Sequence, residues 1–153
     1  MTLQQLCKFA RTDAQRQALL IEAAFWLLIA CVALFAAPFP WLARRLGTFV
    51  PPTDPRVQTA KMRMSDEHAA LAAHIGWAVT RAARHAPFRA ACLSQAIAAR
   101  QMLNRRGVAS VLHFGAAKGA DKPLYAHAWL DASGVEVTGY PIATGFAEIA
   151  CFV

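Results

Sequence analysis

The pattern of apolar and polar positions divides the chain into a helical front and a β-rich end. Apolar residues run without interruption over 15 positions, from Ala23 to Ala37. Further on, apolar positions recur at helical spacing after Ser65 and again after Cys92, and Gly107 suits the end of the second helix. Beyond Gly107 the period changes to the alternation of strands. Helices followed by a meander of strands predict an α+β fold with an antiparallel sheet.

The same pattern predicts the bounds of the elements. Ser65 is a typical N-cap, followed by two acidic residues, for a helix that reaches about Arg84. The next helix is predicted to run from Cys92 to Arg106. Strands are predicted over 108–114, 124–131, 135–138 and 147–152, with turns at 119–121 and 132–134.

These elements suggest three regions in a chain of 153 residues, which is long enough for one domain with at most an appendage. Residues 1–46 are predicted to form an N-terminal helical region that contains a hydrophobic helix over 18–37. The proline-containing segment 47–64 is interpreted as a loop or linker. Residues 65–153 are predicted to form the core of the protein.

The hydrophobic helix 18–37 has three interpretations. Its only charge is Glu22, and its apolar stretch is shorter than the roughly 20 residues that a spanning helix needs. It could be a short or tilted membrane helix, an interfacial helix with Arg44 and Arg45 at the lipid headgroups, or a helix packed against its own domain or a partner. A signal peptide is not indicated, because the apolar segment starts late and lacks a clean cleavage site.

The charge distribution suggests an anionic partner for the front of the chain. The net charge is +7, and the first 107 residues carry fourteen Lys and Arg against five Asp and Glu. A membrane surface or an acidic protein would suit this charge. Nucleic acid is not predicted as a partner, because the sequence has no zinc finger, no aromatic RNA-binding box and no basic heptad.

Cysteine and histidine spacing predicts no metal site and no cofactor. The four cysteines form no CxxC pair: Cys7, Cys31, Cys92 and Cys151. They are interpreted as reduced thiols in the cytoplasm, with all except Cys92 expected to be small buried apolar residues. His68 and His74 are six positions apart on one predicted helix, which is not ligand spacing.

Cys92 and His127 are the candidate catalytic residues. Cys92 opens its predicted helix, where unpaired N–H groups and the helix dipole stabilise a thiolate, the reactive form of the thiol. His127 lies 35 positions later in the alternating segment Tyr125-Ala-His-Ala-Trp-Leu130. There it can pair with the thiolate and protonate a leaving group. Tyr125 and Trp129 share its strand face and are expected to shield the imidazole from water.

The residue that orients His127 is left open by the sequence. Asp131 is on the same strand about 13 Å away, which is too far for a hydrogen bond. A three-residue hairpin over 132–134 would place Gly139, which has no side chain, opposite His127. The remaining candidates are Thr138, Tyr140, Glu148 or a backbone carbonyl.

Two further features could serve substrate binding. The backbone N–H of Cys92 is the expected oxyanion donor, and Gln95 is a candidate second donor, although a solvated or packing role is favoured for it. A set of arginines near Cys92 in sequence could line a groove for an acidic or C-terminally charged peptide, with a solvated surface as the favoured alternative. These are Arg81, Arg84, Arg89, Arg100, Arg105 and Arg106.

The segments Cys92–Gly107, Ala126-His-Ala-Trp-Leu130 and Val137-Thr-Gly139 together resemble the leader peptidases of lasso-peptide biosynthesis, which belong to the transglutaminase-like, papain-related cysteine proteases. The resemblance extends from about Leu19 onward. It implies that Cys92 is the nucleophile and His127 the general base and acid. Members with a full triad have Asp where this chain has Gly139, so the sequence supports a dyad.

The resemblance also implies a substrate and partners. The enzyme would remove the leader from a ribosomally made precursor peptide, and a separate ATP-dependent lactam synthetase would then close the ring. A leader-recognition domain is expected as a separate protein, because the segment before Leu19 is too short to form one. Two rival functions use the same residues differently: an acyltransferase or transglutaminase, and a catalytically inactive membrane-associated scaffold of a maturation complex.

Overall fold

A computed structural model describes residues 3–62, 64–119, 121 and 123–153, with side chains from residue 13 onward. The helices are α1 (Leu3–Ala36), α2 (Phe39–Leu46), α3 (Pro55–Lys61), α4 (Asp66–His85) and α5 (Cys92–Asn104). The strands are β1 (Phe49–Val50), β2 (Val111–Ala117), β3 (Tyr125–Ala132), β4 (Val135–Thr138) and β5 (Ala147–Phe152). All pair antiparallel in one sheet of order β1-β5-β2-β3-β4, which confirms the predicted α+β class.

The helices α4 and α5 confirm the sequence prediction closely. The Ser65 hydroxyl accepts a hydrogen bond from the N–H of His68 at 3.1 Å and caps α4. Gly107 follows α5 in the left-handed region, with φ of 71°, a conformation that glycine adopts without steric cost. The predicted turn at 119–121 includes Ala120, which lies outside the described residues.

One face of the hydrophobic helix α1 packs against its own domain. Ala23, Leu27 and Ala30 recur at helical spacing and are buried against α4 and α5 in the main core. The opposite side of α1 exposes a stripe of large apolar side chains. These are Ile21, Phe25, Leu28, Ile29, Val32 and Phe35. By length and composition the segment Asp13–Ala36 could also cross a membrane, a property that core helices share.

Glu22, the single charge of the hydrophobic segment, ties α1 to the C-terminal end of α5. Its carboxylate accepts hydrogen bonds from Arg106 at 2.6 and 3.1 Å, and Arg105 lies 3.5 Å away. The hydrogen bonds from Arg106 lower the pKa of Glu22 below its usual value. The charge therefore has a structural partner at the point where α1 begins to enter the core.

Replacement of Glu22 by Gln should lower the free energy of unfolding by about 1 kcal/mol at neutral pH. Because the pKa of Glu22 is lowered in the folded state, its contribution is present above the ordinary carboxyl pKa and is lost as the pH falls below about 4.5. Urea unfolding at neutral and acidic pH measures this difference. An equal effect of Glu22→Gln at both pH values would contradict the ion-pair account.

The segment 47–64, predicted to be a loop or linker, contains two short elements instead. Strand β1 pairs with β5 at the edge of the sheet. Helix α3 starts after Asp54, whose carboxylate accepts from the N–H of Arg56, and packs on the sheet face opposite α5. Val50, Val57 and Val111 form a second small core there with Cys151. Such short elements are fixed by tertiary contacts, so local composition does not reveal them.

The hairpin between β3 and β4 differs from the predicted three-residue loop. Ser133 and Gly134 both have positive φ, 49° and 75°, and form a two-residue turn in which Ala132 pairs with Val135. Ser133 is held in this conformation by a hydrogen bond that its hydroxyl accepts from the N–H of Met64. A bulge between Leu130 and Asp131 then shifts the register again. The predicted three-residue loop over 132–134 is therefore wrong, and Asp131 pairs with Glu136.

Candidate active site

Cys92 begins α5 at a helix terminus without a side-chain cap. Ala91 occupies the N-cap position in an extended conformation, and the helical hydrogen bonds begin with the Gln95 N–H to the Ala91 carbonyl. The N–H groups of Cys92, Leu93 and Ser94 therefore precede the first helical bond. Cys92 itself is partly exposed. This end of α5 offers backbone donors and partial positive charge to a thiolate or an oxyanion.

Gln95 is engaged in packing. Its side-chain amide donates a hydrogen bond to the carbonyl of Ala90 at 2.9 Å, and the Ser94 hydroxyl donates to Ala91 at 2.8 Å. Both bonds stabilise the turn that leads into α5. The favoured interpretation of Gln95 is confirmed, and the oxyanion donors that remain at this terminus are backbone N–H groups.

His127 lies near the start of β3 with its ring held on three sides. Its Nε2 is 2.6 Å from the carbonyl oxygen of Gly139. The ring stacks on Trp129 at 5.9 Å between centroids and contacts Phe146 at 5.5 Å. Trp129 thus shields the imidazole as predicted. Tyr125, which was expected to shield the imidazole as well, is exposed. Phe146 contacts the ring instead. Phe146 lies outside every predicted strand pattern around the site, so sequence reasoning missed it.

The backbone carbonyl of Gly139 is the group that orients His127. Of the side-chain candidates, Tyr140 donates its hydroxyl hydrogen bond to Asp131, and Glu148 contacts His113 and Cys151. With Nε2–H donating to a carbonyl, the lone pair lies on Nδ1, which is the nitrogen that can accept a proton. A neutral carbonyl stabilises an imidazolium less than a carboxylate would.

The topology places Cys92 and His127 toward the same end of the sheet. Residues 105–110 connect α5 to β2, so β2 returns antiparallel along the helix. Arg100 donates to the carbonyls of Ser110 at 3.1 Å and Phe152 at 2.9 Å, which fixes the C-terminal half of α5 beside the start of β2. The N-terminal end of α5 therefore points toward the end where β3 begins. Within the described residues, no hydrogen bond joins Cys92 and His127.

Three of the six arginines that were predicted to line a groove make structural contacts instead. Arg100 is buried, and burial lowers the pKa of its guanidinium to about 10. Arg105 and Arg106 pair with Glu22 at the far end of α5. Arg81, Arg84 and Arg89 remain exposed. The arginines of the C-terminal half of α5 and of the segment just after it therefore stabilise the fold. Of the six, the three that precede the helix are the ones available to bind an anionic ligand.

A second group of titratable residues, missed by sequence reasoning, lies on the sheet face that carries Trp129. His113 on β2 is fully buried and stacks on Trp129 at 5.4 Å, with the two planes 4° apart. Its Nδ1 contacts Glu148, and the Cys151 Sγ lies 2.9 Å from the same carboxylate and 3.4 Å from Nδ1. On the other side of the ring, Nε2 lies 3.2 Å from the Asp131 carboxylate. Trp129 separates this cluster from His127.

Burial and contacts shift the pKa values in this cluster. Burial and the neighbouring Glu148 raise the pKa of Cys151 to about 12, so the thiol is protonated at neutral pH. Burial alone would raise the pKa of Asp131, but contacts with His113, Tyr140 and Lys61 outweigh it and lower that pKa. Cys151 is buried, as predicted, but among polar groups, whereas Cys31 is only partly buried and the Cys7 side chain lies outside the described residues.

Comparison with known protein families shows to which family the chain belongs. Residues 33–151 match the Transglutaminase-like superfamily. The chain belongs to the transglutaminase-like superfamily. No curated protein and no solved structure matches it.

Members of the transglutaminase-like superfamily are typically cysteine-dependent enzymes and include cysteine peptidases and acyltransferases. Cys92 and His127 both lie inside the matched region, as does most of the sheet. The match begins near the end of α1, so the family domain starts well before the predicted core boundary at residue 65 and takes in α2 and α3. This transglutaminase-like protein is therefore assigned to the class of cysteine-dependent enzymes.

Proposed function

We propose that this protein is a cysteine peptidase that removes the leader from a lasso-peptide precursor. The observation that carries the proposal is that two local environments occur in the same chain. One is a cysteine at an uncapped helix N-terminus, and the other is a histidine whose Nε2 is hydrogen-bonded to a carbonyl. The first favours a thiolate and the second leaves Nδ1 free to exchange a proton. The choice of a precursor peptide as substrate rests on the resemblance of the sequence segments around Cys92 and His127.

The proposed reaction has two steps. The Cys92 thiolate attacks the carbonyl carbon at the end of the leader, and backbone N–H groups at the start of α5 bind the oxyanion. The C–N bond breaks as the imidazolium of His127 gives its proton to the leaving amine, which leaves a thioester. Water then attacks the thioester, giving up a proton to His127, and releases the leader as a carboxylic acid and Cys92 as thiolate.

The proposed setting is the cytoplasm, in a complex with other maturation proteins. The protein would receive the precursor from a separate leader-recognition protein and release an amine to a lactam synthetase. The exposed stripe of α1 supports association with the inner face of the membrane, since five of its residues follow spacings of four and three along one side: Ile21, Phe25, Leu28, Val32 and Phe35. Helix α2 contributes a second exposed group that suits a membrane surface: Trp41, with the Arg45 guanidinium 4.2 Å above its ring.

Intact mass spectrometry of a precursor peptide, incubated with the protein and its leader-recognition partner, tests the proposed function. The native chain should release the leader with the mass of a free carboxylic acid, and in heavy-oxygen water that acid should carry the label. The Cys92→Ala variant should release none. A Cys31→Ala variant serves as the matched control for loss of a thiol and should cleave at the native rate.

The rival functions give different products in the same experiment. A leader joined to an added amine, without a free acid, would indicate acyl transfer with the same dyad. No product from the native chain, with binding of the partner demonstrated, would contradict the peptidase and support an inactive scaffold.

Membrane association should depend on the α1 stripe. In flotation with anionic vesicles at low salt, the native protein should rise with the lipid, and the double variant Phe25→Asp and Phe35→Asp should stay with the soluble fraction because a charge cannot enter the apolar phase at low cost. Met64→Asp changes an equally exposed apolar residue outside the stripe and should float normally. Equal flotation of all three proteins would exclude the stripe as the lipid contact.

A further inference from the structure

We propose that His113, Glu148 and Cys151 form a zinc site on the sheet face that carries Trp129, distinct from the catalytic dyad. One imidazole nitrogen, one carboxylate oxygen and one thiol sulfur lie within 4.8 Å of one another. These are the three ligand types that zinc takes in proteins. The sequence predicted no metal site, because these three residues show no metal-ligand spacing. They come from two strands and occupy positions without a regular pattern.

A β-bulge brings two of the ligands to one face. In a regular strand Glu148 and Cys151, three positions apart, would point to opposite faces of the sheet. In β5 the register shifts: Phe114 pairs with Ala150, while Gly115 pairs with Glu148. The extra residue turns Glu148 to the face of Cys151 and His113. Bulges that re-aim a side chain in this way are typical of functional positions.

The outer neighbours of His113 match those of a metal-binding histidine. Its Nδ1 faces the other two ligands, while Nε2 lies 3.2 Å from the carboxylate of Asp131. A carboxylate on the far nitrogen is the usual partner that fixes the ring of a zinc-bound histidine. Asp131 is itself held by the Tyr140 hydroxyl and by Lys61 at 3.2 Å. The buried Nε2 makes no aligned hydrogen bond within the described residues, so its contact with Asp131 is that of a neighbouring charge.

The ligand separations need only a small adjustment. Around a tetrahedral zinc ion, ligand atoms of these types lie roughly 3.3 to 3.6 Å apart. Cys151 Sγ and His113 Nδ1 are 3.4 Å apart already. The Glu148 oxygen is closer to both, and its side chain is 30% exposed, so it can withdraw to admit the ion. Thiolate, carboxylate and Zn²⁺ together carry no net charge, which suits a buried position.

Bound zinc would support the strand that carries the general base. His113 stacks on one face of Trp129, and His127 stacks on the same indole. An ion held by β2 and β5 would fix the His113 ring and, through it, the position of Trp129. Zinc is usually four-coordinate in proteins, so water or a shifted side chain would supply the fourth ligand beside these three.

Cobalt(II) titration of the full-length protein tests the site, because a thiolate bound to cobalt gives a charge-transfer absorption. The native chain should show this absorption with saturation near one ion per chain, and zinc should displace the cobalt. A variant with Cys7, Cys31 and Cys92 all replaced by Ala should keep it, since Cys151 is then the sole thiol. Cys151→Ala should abolish it. Asp131→Asn should weaken zinc binding about ten- to a hundredfold.

Two results would overturn the proposal. One is a native chain that shows no thiolate-to-cobalt absorption, which needs no variant to interpret. The other is an absorption that survives Cys151→Ala but disappears in Cys92→Ala, which would place the ion at the catalytic thiol. Because metal binding is measured directly, either result is independent of whether the protein cleaves a precursor.

Discussion

Replacement of His127 by Ala should lower the rate of leader release by about 10²- to 10⁴-fold, the usual contribution of a general acid and base. In the proposed reaction, the His127 ring is the group that protonates the leaving amine. Its surroundings are set by Trp129, Phe146 and the Gly139 carbonyl, so the variant loses the proton carrier and leaves the backbone around it in place. Single-turnover kinetics with intact mass detection measures the loss.

His74→Ala is the matched control, because His74 is an exposed histidine in the middle of α4. This variant should cleave at the native rate. A His127→Ala protein that folds normally and cleaves within a few-fold of the native rate would remove His127 from the mechanism, and the dyad with it.

Replacement of Gly139 by Asp should damage the protein rather than complete a triad. Gly139 has φ of 85°, where side chains are strained, and a Cβ there would lie 2.5 Å from the carbonyl oxygen of Ala128 and 2.7 Å from the Cβ of Trp129. These contacts are with the backbone and the base of a side chain, which cannot rotate away. We expect a loss of about 2 to 4 kcal/mol in the free energy of unfolding, together with lower activity.

Gly107→Asp separates crowding from backbone strain. Gly107 also has a left-handed conformation, with φ of 71°, but a Cβ there meets no atom within 4 Å. This variant should lose only about 1 kcal/mol. Thermal or urea unfolding of both variants measures the difference. Faster cleavage by Gly139→Asp than by the native chain would show that the strand can shift to admit a carboxylate, contrary to the account.

Sequence periodicity predicted α4, α5, β4 and β5 because each carries a strong local signal, whereas β2 lies three positions later than the predicted strand. Ser65 caps α4, Gly107 ends α5, and the β4 and β5 bounds match the alternation of their residues. The start of a helix at Cys92 followed from the same reasoning, since apolar positions recur at helical spacing between Cys92 and Gly107. These features depend on residues that are neighbours in sequence.

The details of the site depended on contacts between distant parts of the chain. The Ser133–Gly134 turn and the bulge after Leu130 set the register of β4, so that Gly139 presents a carbonyl to His127. The bulge in β5 that turns Glu148 toward His113 has no local sequence signal of its own. Register shifts by one residue exchange the two faces of a strand. For that reason the orienting carbonyl and the buried His113 cluster became visible only in three dimensions.

Alkylation of the cysteines by iodoacetamide at neutral pH, followed by peptide mass mapping, tests the central claim that Cys92 is an activated thiol paired with His127. Cys92 should be modified at least about tenfold faster than Cys31, another partly exposed thiol, and Cys151 should stay unmodified because it is buried. In His127→Ala the rate at Cys92 should fall toward that of Cys31. Equal rates at Cys92 and Cys31 in the native protein, unchanged by His127→Ala, would contradict the account.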